Sequence, residues 1–304
     1  MSATLQQSLA AILERKDLTR DEARQAMECI LAGECTPAQI AGFAVALRMK
    51  GERPAEIAGM AEAMRARVPP ILTTRRQLLD TCGTGGDNSG TFNISTTVAI
   101  VAASCGVAIA KHGNRAMSSR AGSADVLEHL GVSIELTPED AARAIDEVGL
   151  AFLFAPNYHV SLRHAAGPRR ELGVRTVFNL LGPLTNPAGA RRQLLGVYMD
   201  PLVRLVAEVL RNLGSERAWI VHSRDGLDEI SVFAPTHVAE LRSGGVEEFE
   251  IDPHRLGLAH EDRAGIAGGS AAENAARIRA VLGGQPGAAR DVVVLNAAAA
   301  LVVA

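Results

Sequence analysis

Between Cys82 and Arg115, three short polar motifs follow one another closely enough to line one pocket. The first is Gly83-Thr84-Gly85-Gly86-Asp87, whose glycines permit φ > 0 and let backbone N–H groups approach an anion. The second is Asn93-Ile94-Ser95-Thr96, which offers side-chain donors at a helix start. The N–H groups of that helix start aim at the same place. The third is Lys111-His112-Gly113-Asn114-Arg115, a basic turn with two cations, an imidazole and an amide. Ser118, Ser119 and Ser123 extend the hydroxyl supply toward the next helix. Taken singly, these motifs are a tight strand-to-helix turn, an N-cap and a solvated charged loop. Taken together, they suit a highly phosphorylated small molecule. No Gly-Lys-Ser/Thr follows the glycines, so this is not the nucleotide P-loop, and the spacing does not fit the dinucleotide fingerprint.

Asp87 repels a bare phosphate but suits a magnesium-bound one. A second acidic motif, Asp225-Gly226-Leu227-Asp228-Glu229, follows a strand. In a loop, both Asp228 and Glu229 can serve magnesium, although an isolated Asp-Glu pair is usually surface charge. Arg169 and Arg170 read as a salt-linked helix face, and one of them can instead hold a carboxylate bidentately. His159 and His164 read as ordinary helix residues. Cys82 adjoins the glycine loop without an evident base, so it receives no nucleophilic role.

These residues need elements to position them. Apolar spacing and start signals at Thr19, Thr36 and Pro54 predict an all-helical region of about 70 residues, closed by Val68-Pro69-Pro70. From Leu78 onward, strands alternate with helices, which argues for an α/β fold with a mainly parallel sheet. Strands are expected at Leu78–Asp80, Val107–Ala110, Val132–Leu136, Ala151–Phe154, Leu194–Val197 and Ala218–Val221. Helices are expected at Ser95–Cys105, Ser123–Leu130, Thr137–Val148, His159–Glu171 and Leu202–Leu213. The glycine loop and the basic turn both follow strand ends, where α/β sheets place ligands. The alanine-rich end, Asn296–Ala304, reads as a further strand.

The 304 residues carry a net charge of −3, with no basic run and 3% aromatics, so nucleic acid is not an indicated partner. No apolar run approaches the roughly 20 residues that span a bilayer. The four cysteines have no metal-type spacing and suit a reducing, cytoplasmic setting.

The order of these motifs resembles a known family, anthranilate phosphoribosyltransferase of tryptophan biosynthesis. The resemblance also rests on Gly122–Glu128, Arg175-Thr176-Val177-Phe178-Asn179 and Leu181–Pro187, and it covers essentially the whole chain. It implies a small helical N-terminal domain, residues 1–70, joined by hinges to a larger α/β domain, residues 71–304. The sheet would be mainly parallel with flanking helices, a nucleoside phosphorylase-like phosphoribosyltransferase architecture. A segment around 160–184 would return to the helical domain, and because the family continues past the strand near Ala304 with further helical sequence, the α/β domain is expected to be shortened at its C-terminus. A homodimer through the helical domain is also implied.

The implied reaction joins anthranilate to 5-phosphoribosyl 1-diphosphate (PRPP) and releases diphosphate, with Mg2+ as cofactor. Carried over by position, Gly83, Gly86, Asp87, Thr91, Asn93, Ile94, Ser95, Thr96, Lys111, Ser119 and Ser123 would hold PRPP. Ser95, Asp228 and Glu229 would engage magnesium. Gly83, His112, Asn114 and Arg169 would meet anthranilate, Arg169 taking its carboxylate. The bond-breaking step resembles an oxocarbenium ion, so no covalent nucleophile is expected. Two alternatives remain at this point. A pyrimidine-nucleoside phosphorylase-like enzyme expects a different lysine–serine–glycine arrangement after the basic turn. A non-enzymatic nucleic-acid-binding paralogue expects basic patches and no Lys-His-Gly-Asn-Arg.

Overall fold

The computed structural model describes residues 3–116 and 120–304, so the expectations for Ser118 and Ser119 lie outside the described residues. The chain opens with α1 (Ala3–Leu13), α2 (Arg20–Leu31), α3 (Pro37–Lys50) and α4 (Pro54–Arg65). Both expected capping boxes form: Thr19 and Glu22 exchange hydrogen bonds at the start of α2, and Thr36 and Gln39 do so at α3. Ile30, Phe43, Leu47, Ile57 and Met60 of this bundle share one buried core with Phe178, Leu195 and Leu202.

The rest is built on a seven-stranded sheet in the order β3-β2-β1-β4-β5-β6-β7. The strands are β1 (Leu78–Gly83), β2 (Ala108–Gly113), β3 (Leu150–Phe154), β4 (Arg192–Gly196), β5 (Arg217–Ser223), β6 (Thr236–Arg242) and β7 (Gly245–Ile251). β1 to β5 pair in parallel, while β6 and β7 are antiparallel. The helices of this part are α5 (Ile94–Ser104), α6 (Ser123–His129), α7 (Pro138–Glu147), α8 (Ala155–Tyr158), α9 (Arg163–Leu172), α10 (Phe178–Leu181), α11 (Leu202–Asn212), α12 (Ala271–Leu282) and α13 (Ala288–Val303). Alternate strand residues serve opposite faces. Leu79, Ile109, Leu194 and Val221 pack with α5 and α13, whereas Leu195 and Ile220 join the core of the helical bundle. α9 packs on α3 and α2, and α10 on α4. β1 has β2 on one side and β4 on the other. Successive connections therefore leave it in opposite directions, and ligands of such sheets bind beyond the carboxyl ends at that point.

Several expectations need correction. Val132–Leu136 is irregular: Ile134 docks against Leu127, Phe152 and Phe154 by side-chain packing, with no ladder partner. The alanine-rich end is helix α13, not a strand; alanine is the strongest helix former, and its short side chains let α13 lie close on α5. His159–Glu171 is not one helix, because a 3-10 turn at Val160–Leu162 precedes α9. α9 then continues through Pro168, whose ring is buried. Lys111, His112 and Gly113 belong to β2 rather than to a turn. The β6–β7 hairpin and α12 go unread in the sequence, although Ser243-Gly244 at positive φ and a Ser270–Glu273 capping box signal them. Among the described residues, no helix is long and apolar enough to cross a membrane.

Beneath the strand ends, Asn186 carries a buried polar knot. Its amide donates to Asp80 Oδ2 at 2.8 Å and to the Ala110 carbonyl at 2.7 Å, and its oxygen accepts from Ala188 N–H at 2.9 Å. Burial pushes the fully covered Asp80 carboxyl up to about 6. Asn186→Ala strips a donor from a buried carboxylate, so urea unfolding should show a loss of about 2–4 kcal/mol.

Candidate active site

The loop after β1 turns left-handed at Gly85, Gly86, Asn88 and Gly90, with φ of 64°, 77°, 57° and 66°. Glycine adopts this conformation freely and asparagine next most readily. Thr84 anchors the loop: its N–H donates to the Gly196 carbonyl at 2.9 Å, and its hydroxyl accepts from Tyr198 N–H at 3.1 Å.

The acidic loop after β5 comes to meet it. Asp225 closes that loop by accepting from Ser231 Oγ at 2.8 Å and pairing with Arg263 at 2.6 Å, so its role is structural. Asn296 of α13 grips Ile230, donating to its carbonyl at 2.7 Å and accepting from its N–H at 3.0 Å. Asp228 then crosses β4 at Gly196, where a Cβ would lie 1.5 Å from the Asp228 carbonyl oxygen. Only glycine allows this crossing. Gly83 is tight for the same reason, its added Cβ falling 2.6 Å from Asp228 Oδ2. Asp228 Oδ2 accepts from Gly85 N–H at 3.1 Å.

This crossing brings ligand atoms of Asp87, Asp228 and Glu229 within 4.8 Å of one another. Among the described residues, Asp87 Oδ2 and Glu229 Oε2 are buried without a hydrogen-bond partner. Burial, with the charge of Asp87 added, pushes Asp228 up to about 7. Burial and Asp228 push Glu229 up as well. Close, desolvated carboxylates with unfilled oxygens have the donor chemistry of a hard divalent cation site. Ser95 lines the same small cavity as Asp228 and Glu229.

α5 begins there without a side-chain cap. The Asn93 amide instead donates to the Ala121 carbonyl at 3.2 Å, and its oxygen accepts from Asn274 at 2.9 Å. An uncapped first turn leaves N–H groups free to meet an anion. Thr96 Oγ1 donates to Ser123 Oγ at 2.9 Å. Thr91 forms an isolated bridge with Ala267. Ile94 is 1% exposed, and its N–H donates to the Phe92 carbonyl, so neither group is left for a ligand.

Strand alternation separates Lys111 from His112. Buried Lys111 turns to α5, donating to the Thr81 carbonyl and to Ser95 Oγ at 3.3 Å; burial lowers its pKa. His112 turns to the opposite face, where its Nδ1 contacts the Gly182 carbonyl at 3.2 Å. A carbonyl can only accept, so Nδ1 carries the proton, and the buried Nε2, which has no partner among the described residues, presents a lone pair. Burial pushes His112 down to about 3 and His159 to about 4. The two rings lie 5.1 Å apart. His159 is therefore a site neighbour and not an ordinary helix residue, although no sequence signal marks it.

Arg169 lies 5.7 Å from the Phe178 ring, and α10, which Phe178 opens, leads directly to Gly182. Burial lowers the Arg169 pKa, and no carboxylate pairs with it among the described residues. Asn114 is exposed, its oxygen accepting from Arg115 N–H at 2.7 Å. Arg115, the second cation of the basic motif, is tied to Asp125 at 2.9 Å and Glu128 at 2.6 Å, so it does not serve a phosphate here. Asn296, which carries no motif signal, and Arg175, which sits in a resemblance motif but received no site role and whose guanidinium lies beside Gly86, also belong to the site.

Sequence models of a glycosyl transferase family match in order along the chain. Its helical bundle domain matches residues 6–68 and its a/b domain matches residues 75–304. The chain is 57% identical over 301 residues to the anthranilate phosphoribosyltransferase of Myxococcus xanthus, covering 99% of this chain and 89% of that one. It is 54% identical over 300 residues to the enzyme of Moorella thermoacetica, covering 99% and 88%. The crystal structure of anthranilate phosphoribosyltransferase from Thermus thermophilus superposes with a TM-score of 0.92 at 47% identity, covering 98% of this chain and 89% of that one. The Saccharomyces cerevisiae enzyme in complex with PRPP and Mg gives a TM-score of 0.89 at 28% identity, covering 100% and 89%. Its complex with 4-fluoroanthranilate gives 0.87 at 27% identity, covering 99% and 88%. Both domain models and relatives more than half identical over nearly every residue agree, and the chain belongs to the anthranilate phosphoribosyltransferase family.

Proposed function

We propose that this chain transfers the phosphoribosyl group of PRPP to the amine of anthranilate, giving N-(5-phosphoribosyl)anthranilate and diphosphate in tryptophan biosynthesis. The division of labour at the end of β2 carries the reading. Lys111 faces the glycine loop's side of the sheet, toward α5, whereas His112 faces the Gly182 side, beside α10 and Arg169. A phosphorylated sugar and an aromatic carboxylate thus have separate binding faces that meet at one strand end.

On this reading Asp87, Asp228 and Glu229 hold magnesium, with the Ser95 hydroxyl beside them; the partnerless carboxylate oxygens fit that ion. When bound, magnesium neutralises the charge gathering on the departing diphosphate. Gly83, Gly86, Thr91, Asn93, Ser95, Thr96, Lys111 and Ser123 surround PRPP, Lys111 adding a fixed cation where leaving-group charge develops. Arg169 takes the anthranilate carboxylate, Asn114 lies at the rim, and His112 Nε2 accepts an N–H of the attacking amine. With its pKa held near about 3, His112 orients that amine and does not store its proton. That the yeast relatives are described in complex with PRPP and Mg and with 4-fluoroanthranilate supports the ligand classes of this reading.

Residues 1–70 with the returning segment around 160–184 form the helical domain in this account, and 71–304 the α/β domain. Packing of α9 on α3 supports that division. Closure of the two excludes water from the activated sugar. A homodimer through the helical domain belongs to the same proposal, with Leu13 and Met49, apolar side chains left 70% and 76% exposed on α1 and α3, as side chains it would cover. Mass spectrometry of a mixture of folded protein, PRPP, anthranilate and magnesium should show the phosphoribosylated amine. Its absence would overturn the reading.

A further inference from the structure

Arg175 lies between α9 and α10, and its guanidinium reaches back to the glycine loop. A Cβ added to Gly86 would meet its Nε at 3.3 Å and its Nη2 at 3.4 Å. The guanidinium carbon sits 4.3 Å from the centroid of the Tyr198 ring. Tyr198 in turn donates its backbone N–H to Thr84 Oγ1 at 3.1 Å, so one support carries both the arginine and the loop it touches. Stacking on a ring occupies the face of a guanidinium and leaves its edge N–H groups to bind. Arg175 is half-buried, and among the described residues its side chain has no ion pair and no hydrogen bond.

Those free donors sit at an informative place. Gly86 is followed directly by Asp87, a member of the carboxylate cluster. The other nearby arginines are engaged elsewhere: Arg115 with Asp125 and Glu128, and Arg169 over Phe178 on the far face. Among the described residues, Lys111 is the other buried cation that faces the acidic cluster at this strand end. A polyanion placed there needs further positive charge and planar donors, which arginine supplies to phosphate better than lysine does.

We propose that Arg175 is a diphosphate-binding residue of this site, its guanidinium held over the Tyr198 ring and donating to the diphosphate of the sugar substrate beside Gly86. The proposal rests on the transferase reading above. It gives position 86 a second reason to be small besides its φ of 77°, because even a Cβ there would press on the guanidinium and make it shift by a few tenths of an ångström.

Three variants test it: Arg175→Gln keeps a planar group but no charge, Arg175→Lys keeps the charge, and Arg175→Leu keeps an apolar cover on Tyr198 should Gln not fold. The readouts are KM for each substrate and the inhibition constant of inorganic diphosphate, with a thermal melt to check folding. Gln and Leu should weaken diphosphate by on the order of 10- to 100-fold, the size of a lost charge-assisted contact. Lys should recover part of that loss, and KM for anthranilate should stay within about two-fold. Retention of diphosphate binding by Gln, or equal weakening of both substrates, would show that Arg175 only supports the loop. Wild-type protein is assayed alongside. If it makes no product the transferase reading fails, whereas product with unaltered Arg175 variants sinks this inference alone.

Discussion

Asp228→Asn and Glu229→Gln should each lower kcat/KM by about 10²- to 10³-fold, the scale of removing one preorganised electrostatic contact to a leaving group. The same changes should raise the melting temperature of the metal-free protein. Asp87, Asp228 and Glu229 crowd like charge into a desolvated space, and Glu229 Oε2 has nothing to bond to. Removing one charge relieves that repulsion without opening a cavity. The pH dependence follows with a definite sign. Asp228 rises from 3.8 toward about 7 on folding, so the native state binds the extra proton between those values. Its stabilising contribution is fully present below its unfolded value and is lost as pH rises to about 7. Magnesium reverses this by binding the ionised form. The rise in melting temperature on adding magnesium should therefore be larger at about pH 8 than at about pH 5. An equal shift at both pH values, or no gain in stability in the variants, would place the metal elsewhere.

Arg169→Ala should raise KM for anthranilate by about 10²-fold or more while leaving KM for PRPP nearly unchanged. The guanidinium is largely shielded from water and no protein carboxylate pairs with it among the described residues, so burial alone lowers its pKa. A ligand carboxylate supplies the missing partner. Steady-state kinetics with each substrate varied in turn measure the effect. Aniline, which lacks the carboxylate, should lose little in the variant, so the preference for anthranilate over aniline should shrink. Equal weakening of PRPP and anthranilate would remove Arg169 from this role.

Much of this site was legible in the sequence because its parts are local. Glycines 83, 85 and 86, the hydroxyl motif and the Asp228–Glu229 pair sit at strand or helix ends, where turn chemistry marks them. Capping boxes at Thr19 and Thr36 gave the helical bundle its boundaries for the same reason. What could not be read depends on distant segments meeting. Nothing local to Asn296 says that it grips Ile230, 66 positions away. Nothing near Arg175 points to Gly86. Nor does periodicity reveal that Lys111 and His112 part company across the sheet, because the strand was expected to end before them. Alanine misled for a different reason: an apolar run without polar punctuation suits a buried strand and a buried helix alike.

The central claim is that one pocket joins a magnesium-bound sugar diphosphate to an aromatic amine, and anthranilate fluorescence tests it most directly. With folded wild-type protein, the signal should decay only when PRPP and magnesium are both present, and should hold steady when either is omitted or when Glu229→Gln replaces the wild type. A steady signal in the complete mixture, or an equal decay without magnesium, would contradict the account.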